Sequence, residues 1–278
     1  CSSDLVSMQL SEQLLHTTIR IEASLPSGEC SVGTGFFFKF CDDGKTFVPA
    51  VVTNKHVVKG GYEYRVIFSR ADENGNLLNI NERLTMRGSD SDWISHPDEN
   101  VDLCVLPIGP ALNGFIQAGK HLLTIPLSLE LLPTKTLIKD MGCMEEVTMI
   151  GYPNGIWDEA NNLPIVRRGI TATPYRYDYR GEKEFLVDMA CYPGSSGSPV
   201  FLYNEGTYLE NGAVVVGSRL YLLGILRAVP IRNVLGDITV STIAHVNVQD
   251  MLNLGIVIKS ERLKDFDPIL RERLSVPE

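Results

Sequence analysis

The chain lacks any long apolar segment and any excess of positive charge. Its longest charge-free run, 103–119, contains Pro107, Pro110 and Asn113, which a lipid-buried helix would not accommodate. The sequence shows no basic start followed by an apolar segment, so we expect no signal peptide. The 25 Lys and Arg against 34 Asp and Glu give a net charge of −9, which repels a phosphate backbone. We therefore expect neither a membrane span nor a nucleic-acid partner.

Cysteine and histidine are too few and too scattered to indicate a metal site. None of the 6 Cys has a neighbour at C-x-x-C spacing, and the 5 His form no ligand cluster. Cys104 lies in the apolar segment VDLCVLPI, where a thiol behaves as a small core side chain. The even number of Cys permits disulfides, but no spacing demands them. We expect reduced thiols, no metal and no cofactor.

The start of the chain leaves two interpretations open. Seven residues precede Met8, which is one candidate for the native start. The alternative is a lipid-modified Cys1 left by a processed precursor. Reduced thiols favour a cytoplasmic protein, and a periplasmic protein or one anchored through Cys1 is the alternative.

Composition and patterning indicate a globular all-β protein. The chain has 278 residues, of which 44% are hydrophobic and 21% charged, as in ordinary folded proteins. Ten short apolar or alternating segments are separated by turn residues, a pattern typical of barrels and sandwiches. These segments are TTIRIEA, TGFFFKF, FVPAVVT, YRVIFS, LCVLPI, EVTMIGY, EFLVDMA, PVFLY, AVVVGS and LYLLGILRA. Helical spacing is limited to SEQLLHT near the start and to 259–274 near the end.

The segment PGSSGSP, residues 193–199, carries the strongest chemical signal. A hydroxyl nucleophile requires a tight turn that exposes its oxygen and aims backbone N–H groups at one point, and small residues permit this. The alternative is a Gly/Ser turn that leads into the strand PVFLY. Within the segment, Ser196 is the candidate nucleophile.

Two further polar residues border apolar strands. His56 follows the apolar segment AVVT, and Asp102 stands at the start of LCVLPI. Each alone is more often structural, although a buried carboxylate needs a partner. From His56 to Asp102 there are 46 residues, and from Asp102 to Ser196 there are 94. The chymotrypsin order of a Ser-His-Asp triad has separations of about 45 and about 93.

With these residues the chain resembles the chymotrypsin-like (trypsin-like) serine peptidases, and within them the bacterial Deg/HtrA-type protease domain without PDZ. The similar stretches, within 12–250, are SVGTGFFF, TNKHVV, VDLCVLPI, MIGYPNG, IVRRGITAT, VDMACYPGSSGSPVF and LLGILRA. The resemblance implies two six-stranded antiparallel β-barrels with the site in the cleft between them. We expect no PDZ module, because fewer than 30 residues follow residue 250.

The expected organisation places the seam in the Leu/Pro/Thr-rich stretch 126–139. The expected units are an N-terminal lead at 1–12, an N-terminal β-barrel with His56 and Asp102 at 13–128, a C-terminal β-barrel with Ser196 at 129–247 and a helical tail at 248–278.

The resemblance implies a role for each candidate residue. Ser196 would attack the scissile carbonyl, His56 would take its proton, and Asp102 would orient the imidazole. The backbone N–H groups of Gly194 and Ser196 would form the oxyanion hole. The implied function is that of a serine endopeptidase acting on polypeptides through an acyl-enzyme.

Three positions depart from the family pattern. Val57 takes the place of the Cys that follows the histidine in secreted trypsins, so that disulfide is absent. Ser195 replaces the Asp that pairs with a newly cut N-terminus, so the turn before Ser196 must be organised in another way. Ser198 replaces the more usual Gly and adds one small side chain.

The expected specificity pocket is small and apolar. The resemblance places Ala190 at the position that makes trypsins prefer Lys or Arg, and Leu226, Ala228 and Val229 on the facing strand. A cationic side chain would lose its hydration there without a partner, so we expect cleavage after small or medium apolar residues. Arg227 is expected to face away from the pocket. A one-residue slip would instead place its charge in the pocket and select acidic residues.

Two alternative functions stay open. One is a peptidase-fold binding module without turnover, in which the oxyanion turn is not correctly formed. The other is an esterase of the α/β-hydrolase type with Ser196, Asp237 and His245 in that order. The nucleophile elbow of that fold needs G-x-S-x-G, whereas position 198 is Ser. The fold also needs long helices between its strands, and such helices are lacking.

Overall fold

The computed structural model describes residues 8–210, 212–228, 231–233, 249–251 and 253–275. The strands up to residue 122 form one sheet, and the later strands form a closed barrel with two small accessory sheets in the described part of the chain.

The first half of the described chain forms one antiparallel sheet of eight strands. These are β1 (Thr18–Ser24), β2 (Cys30–Phe40), β3 (Val48–Thr53), β4 (Glu63–Ala71), β5 (Leu77–Arg87), β6 (Ile94–Ser95), β7 (Cys104–Pro107) and β8 (His121–Leu122). Their order is β5-β4-β1-β2-β3-β7-β6, and β8 pairs with β4. The helices of this half are α1 (Leu10–Leu15), α2 (Lys55–Val58) and α3 (Gly109–Gln117).

The second half is built on a closed antiparallel barrel. Its strands are β9 (Glu146–Gly151), β10 (Ile165–Thr171), β11 (Glu184–Asp188), β12 (Pro199–Asn204), β13 (Thr207–Glu210), β14 (Ala213–Val216), β15 (Arg219–Ala228), β16 (Ile231–Asn233), β17 (Gln249–Met251) and β18 (Leu254–Lys259). The barrel order is β10-β11-β18-β15-β12-β9, while β13 pairs with β14 and β16 with β17. Helix α4 (Lys135–Asp140) precedes the barrel, and α5 (Phe266–Leu274) follows it.

Alternation of apolar and polar residues accounts for the strands. In β1, Ile19, Ile21 and Ala23 are buried, whereas Arg20 and Glu22 between them are partly exposed. Successive side chains of a strand point to opposite faces, so this period of two buries one face of the sheet. The all-β class with a C-terminal helix is thus confirmed. The first half differs from the expected six strands in having eight, because the short β6 and β8 add to its sheet.

One hydrophobic core extends from the first half into the second. Phe38 and Phe40 of β2, Phe201 of β12 and Phe266 of α5 are fully buried within it. The ring centroids of Phe40 and Phe266 are 5.9 Å apart. Full burial of a side chain of this size contributes about 1.5–3 kcal/mol. Helix α5 therefore packs against the N-terminal half of the molecule.

The helical tail begins later than the predicted boundary at residue 247. Strand β18 lies beyond that boundary and pairs with both β11 and β15, which closes the barrel. Its sequence LGIVIK is short and rich in Ile and Val, as in a buried strand rather than a helix. The helical pattern starts with the 3₁₀ segment Ser260–Asp265 and continues in α5. Pro268 fits there because it lies in the first turn, where its missing N–H would have no partner within the helix.

Membrane spans and disulfides can be assessed for the described residues. No described helix is long and apolar enough to cross a membrane. The five described cysteines, Cys30, Cys41, Cys104, Cys143 and Cys191, are free. Cys104 is buried in the core of the first half, as its apolar segment predicts. Cys1 lies outside the described residues.

Candidate active site

His56 lies in the first turn after strand β3, which ends at Thr53. The chain passes through Asn54 into the short helix α2, in which Val57 and Val58 are buried. With these two valines buried, the His56 side chain is 48% exposed. The histidine predicted at a strand end is therefore carried by a short helix that presents its imidazole to solvent.

His56 and Asp102 are joined by two hydrogen bonds. The imidazole Nδ1 lies 2.6 Å from Asp102 Oδ2, and the His56 backbone N–H donates to Oδ1 at 3.1 Å. The side-chain amide of Asn54 donates to the Asp102 carbonyl oxygen at 2.7 Å. Because a carboxylate oxygen accepts, Nδ1 is the donor in this contact, and Nε2 lies on the side of the ring away from Asp102. The pair has the arrangement of a base and its orienting acid.

The turn before Asp102 is tied to the C-terminal tail. The N–H of Asp98 donates to His96 Nδ1 at 3.0 Å, and His96 Nε2 lies 3.0 Å from Asp265 Oδ2. Arg262 Nη2 lies 2.8 Å from a carboxylate oxygen of Asp98. Burial lowers the pKa of His96, and Arg262 adds to this effect while Asp265 opposes it.

The predicted nucleophile lies in a tight turn that requires glycine. The Ser195 N–H donates to the Tyr192 carbonyl oxygen at 3.0 Å and closes the turn. Gly194 at the third position has φ +86°, and an added Cβ would lie 2.6 Å from the carbonyl oxygen of Tyr152. A positive φ at the position after Pro193 is the geometry of a type II turn. The buried Ser195 hydroxyl accepts the Tyr192 N–H at 3.4 Å, and so acts as a local acceptor.

Ser196 is partly exposed at the end of this turn. Its Oγ donates to the carbonyl oxygen of Arg227 at 3.3 Å. Within the described residues, this hydroxyl makes no hydrogen bond to His56. The N–H groups of Gly194 and Ser196 donate to no described residue. The same turn therefore carries the Ser196 hydroxyl and two backbone N–H groups. These two N–H groups are free to bind a substrate oxygen.

Thr34 of β2, which sequence analysis did not select, contacts this turn from the other half of the molecule. Its backbone N–H donates to the Ser196 carbonyl oxygen at 2.9 Å, and its Oγ1 donates to the Gly194 carbonyl oxygen at 3.0 Å. Its own carbonyl oxygen accepts the Thr53 hydroxyl at 2.7 Å. The sequence signal for this residue is a polar side chain between two glycines in an apolar strand.

The predicted pocket residues lie in different environments. Ala190 is partly buried just after β11. Leu226 is fully buried in the core of the C-terminal barrel together with Cys191. It therefore offers no surface to a substrate, contrary to the prediction. Ala228 is the last residue of β15, and Val229 lies outside the described residues.

Arg227 lies at an irregularity of β15. The register with β18 shifts between Leu226 and Ala228, which makes a β-bulge at Arg227. Its guanidinium Nη1 lies 2.7 Å from Oε1 of Glu184. The charge of Arg227 is thus paired within the protein rather than left free.

A cavity of about 600 Å³ adjoins the His56–Asp102 pair. Its walls include Lys55, Lys59 and Trp93, and Arg273 reaches it from the end of α5. No group of three or more His, Cys, Asp or Glu in the described part of the chain is placed to hold a metal ion.

A known protein family matches the part of the chain that contains these residues. The family described as "Trypsin-like peptidase domain" matches residues 33–209. His56, Asp102 and Ser196 all lie within that match. No curated protein was found to match the chain.

Several solved structures are similar to the chain at low sequence identity. The HtrA-type protease AlgW, solved with a tripeptide, is 16% identical with a TM-score of 0.51, over 93% of this chain and 61% of that one. The serine endoprotease from Yersinia pestis is 16% identical with a TM-score of 0.46, over 96% and 66%. Rv3671c from M. tuberculosis H37Rv, in an inactive mutant form, is 14% identical with a TM-score of 0.45, over 100% and 94%. The chain spans less than two thirds of the AlgW and Yersinia chains, and the likeness to AlgW shows the fold alone.

Proposed function

This chain belongs to the trypsin-like peptidase family and is a serine protease, and we propose that it is an endopeptidase with Ser196 as nucleophile, His56 as base and Asp102 as orienting acid. The observation that carries this proposal is the 2.6 Å contact between His56 Nδ1 and Asp102 Oδ2. That contact leaves Nε2 as the proton acceptor on the side of the imidazole away from the carboxylate.

Acylation requires the Ser196 hydroxyl to turn from the Arg227 carbonyl oxygen to the imidazole. The present hydrogen bond is long, at 3.3 Å, and the hydroxyl has to leave this acceptor before it can donate to His56. Nε2 of His56 then takes the hydroxyl proton as Oγ attacks the scissile carbonyl carbon, and Asp102 stabilises the imidazolium. The same proton goes to the leaving amine. Water, activated by His56, then hydrolyses the acyl-enzyme and regenerates Ser196.

The tetrahedral intermediate requires donors for its oxyanion. The N–H groups of Gly194 and Ser196 fill this role, since they donate to no described residue and belong to the turn that carries the nucleophile. Loss of one such donor in a serine hydrolase lowers kcat by about 100- to 1,000-fold.

The substrate residue before the scissile bond is assigned to the small or medium apolar class. Ala190 supplies no carboxylate to bind a Lys or Arg side chain. Glu184 pairs with Arg227 at 2.7 Å, so that a substrate carboxylate would have to compete for this guanidinium. Both observations favour polypeptide cleavage after residues such as Val, Ala or Leu.

A fluorophosphonate probe, which reacts with activated serines, tests the assignment. We expect it to modify Ser196, as located by mass spectrometry, and labelling to be lost in Ser196→Ala and His56→Ala. Ser218→Ala and His121→Ala are matched controls, because Ser218 is exposed and His121 lies in β8, away from the turn. Both controls should label like the wild-type chain.

A proteome-derived peptide library, read by mass spectrometry, then distinguishes the functions. Cleavage within peptides supports an endopeptidase. Absence of both labelling and cleavage would instead favour a peptidase-fold binding module. If the probe labels Ser196 and the chain hydrolyses esters but no peptides, the result would favour an esterase.

A further inference from the structure

Thr34 belongs to the N-terminal sheet but is hydrogen-bonded to the turn that carries the nucleophile in the other half. We propose that the Thr34 hydroxyl is a positioning group for the oxyanion turn, so that the N-terminal sheet sets the geometry of the Gly194 and Ser196 N–H donors. This inference rests on the proposed function and deepens it by adding a residue that acts through the turn rather than on the substrate.

The orientation of the Thr34 hydroxyl is set by its two partners. The Tyr152 N–H donates to Oγ1 at 3.0 Å, and Oγ1 lies 3.0 Å from the carbonyl oxygen of Gly194. A hydroxyl has one proton and a carbonyl oxygen can only accept, so that proton points to Gly194. Thr34 is fully buried, which keeps solvent from competing for either partner.

Thr34 holds the peptide groups on both sides of the Ser195–Ser196 peptide. Its hydroxyl binds the carbonyl oxygen of Gly194, and its backbone N–H binds the carbonyl oxygen of Ser196 at 2.9 Å. Because each peptide group is planar, a bound carbonyl restricts the rotation of its whole plane. The peptide between them, which carries the Ser196 N–H, is thereby restricted as well.

The first donor of the turn is anchored through a second contact. The Asn154 N–H donates to the Pro193 carbonyl oxygen. The Gly194 N–H belongs to the same trans peptide and therefore points in the opposite direction. Asn154 follows closely after Tyr152, whose N–H is bound by the Thr34 hydroxyl. Thr34 thus contacts both the turn and the segment that anchors it.

Two substitutions separate the role of the Thr34 hydroxyl from the role of the size and shape of its side chain. Valine has the shape of threonine but would leave the Gly194 carbonyl oxygen and the Tyr152 N–H without this partner. Serine keeps the hydroxyl and loses only the methyl group. A Cβ at Gly151 would lie 2.8 Å from Thr34 Oγ1, so the hydroxyl is closely packed against β9.

The comparison of Thr34→Val with Thr34→Ser tests the proposal. On a chromogenic peptide with Val before the scissile bond, Thr34→Val should lower kcat by about 10- to 100-fold, less than complete loss of a donor. KM should stay within about twofold, and Thr34→Ser should keep kcat within about threefold. The affinity for a peptide boronate, which forms a tetrahedral adduct with the nucleophile, should weaken in parallel with kcat. The affinity for the cleaved product peptide should stay unchanged. A merely structural role of Thr34 would weaken the affinities for both the boronate and the product peptide.

Thermal unfolding of each variant separates positioning from loss of fold, and Thr34→Ala takes the place of Thr34→Val if the latter does not fold. The proposal is overturned if an active chain keeps its kcat and boronate affinity within about twofold in Thr34→Val, or if Thr34→Ser falls as far as Thr34→Val. A wild-type chain that hydrolyses no peptide would overturn the proposed function and this role together. An active wild-type chain with an unaffected Thr34→Val overturns only the role of Thr34.

Discussion

Arg227 and Glu184 form an ion pair in the C-terminal barrel, with Nη1 and Oε1 2.7 Å apart. Arg227 lies at the bulge of β15, and its carbonyl oxygen accepts the hydroxyl of Ser196. Glu184 is the first residue of β11, which is separated from β15 by β18. The carboxylate therefore neutralises a positive charge on the strand beside the proposed nucleophile.

Substrate specificity should depend on this pair. The wild-type chain should cleave after Val, Ala or Leu, and Glu184→Gln should increase cleavage after Glu or Asp by about fivefold, as expected for a partly buried ion pair of about 1 kcal/mol. Peptides that differ only in the residue before the cut measure this effect. The gain should vanish when Arg227→Ala is added to Glu184→Gln. Dominant wild-type cleavage after Lys or Arg would contradict the apolar pocket, and dominant cleavage after Glu or Asp would show that Arg227 reaches the substrate.

Activity should depend on three side chains acting together. Ser196→Ala and His56→Ala should each lower kcat by roughly four to six orders of magnitude. Asp102→Asn should lower it by about 10,000-fold, because an amide facing Nδ1 favours the wrong imidazole tautomer. Steady-state hydrolysis of a peptide substrate measures each effect, with Ser218→Ala as the control and circular dichroism as the test of folding. More than about a tenth of the wild-type activity in Ser196→Ala would contradict its assignment as nucleophile.

Stability should decrease in mild acid because two histidines are buried in neutral form. Burial lowers the pKa of His96 and of His16 below the ordinary value of 6.5. Below that pH the unfolded chain binds more protons than the folded chain. The free energy of unfolding should therefore fall with pH, by up to about 1.4 kcal/mol per pH unit for each histidine. Denaturant titrations at pH values between about 8 and 5 measure this slope.

The His96→Gln variant isolates one of these contributions. Glutamine keeps a donor toward Asp265 but does not titrate, so the decrease in stability with falling pH should be smaller than in the wild-type chain. The variant loses the acceptor of the Asp98 N–H, now at 3.0 Å, and should be less stable at alkaline pH by about 1 kcal/mol. A pH slope equal to that of the wild-type chain would contradict the assignment of a buried, neutral His96.

Cysteine reactivity should follow burial. Cys143 is exposed, whereas Cys104 and Cys191 are buried, and burial raises the pKa of both buried thiols, that of Cys191 to about 12. Iodoacetamide should therefore modify Cys143 in the folded chain, and Cys104 and Cys191 only in denaturant. Peptide mapping by mass spectrometry gives the sites. Equal rates of modification at all three sites would contradict this packing.

Helix α5 should contribute strongly to stability through its buried face. Leu270 is fully buried in the core that contains Phe40 and Phe266. Leu270→Ala should lower the free energy of unfolding by about 2–5 kcal/mol. Leu274→Ala, in the same helix at a side chain that is 44% exposed, should cost less than about 1 kcal/mol. Similar losses in both variants, measured by urea unfolding, would mean that α5 does not pack as described.

Local patterns predicted most strands but not all of them. The ten apolar segments fall in strands because alternation is a property of consecutive residues. Strand β18 was instead included in the predicted helical tail, although its partners β11 and β15 complete it as a barrel strand. Its segment LGIVIK has the Ile and Val content of a strand, but only pairing with β11 and β15, which are distant in sequence, places it in the barrel.

The sequence by itself determined the all-β class and the candidate nucleophile, because small residues around Ser196 and apolar strands beside His56 and Asp102 are local features. Only the tertiary structure decided which other side chains meet them. Thr34 reaches the carbonyl of Gly194 across 160 residues of sequence, and Arg227 reaches Glu184 across 43. These contacts depend on the closure of the barrel, on a bulge and on the packing of the two halves. Strand register is set by the burial of whole faces rather than by single residues, and so the direction of each such side chain emerges only when the core is assembled.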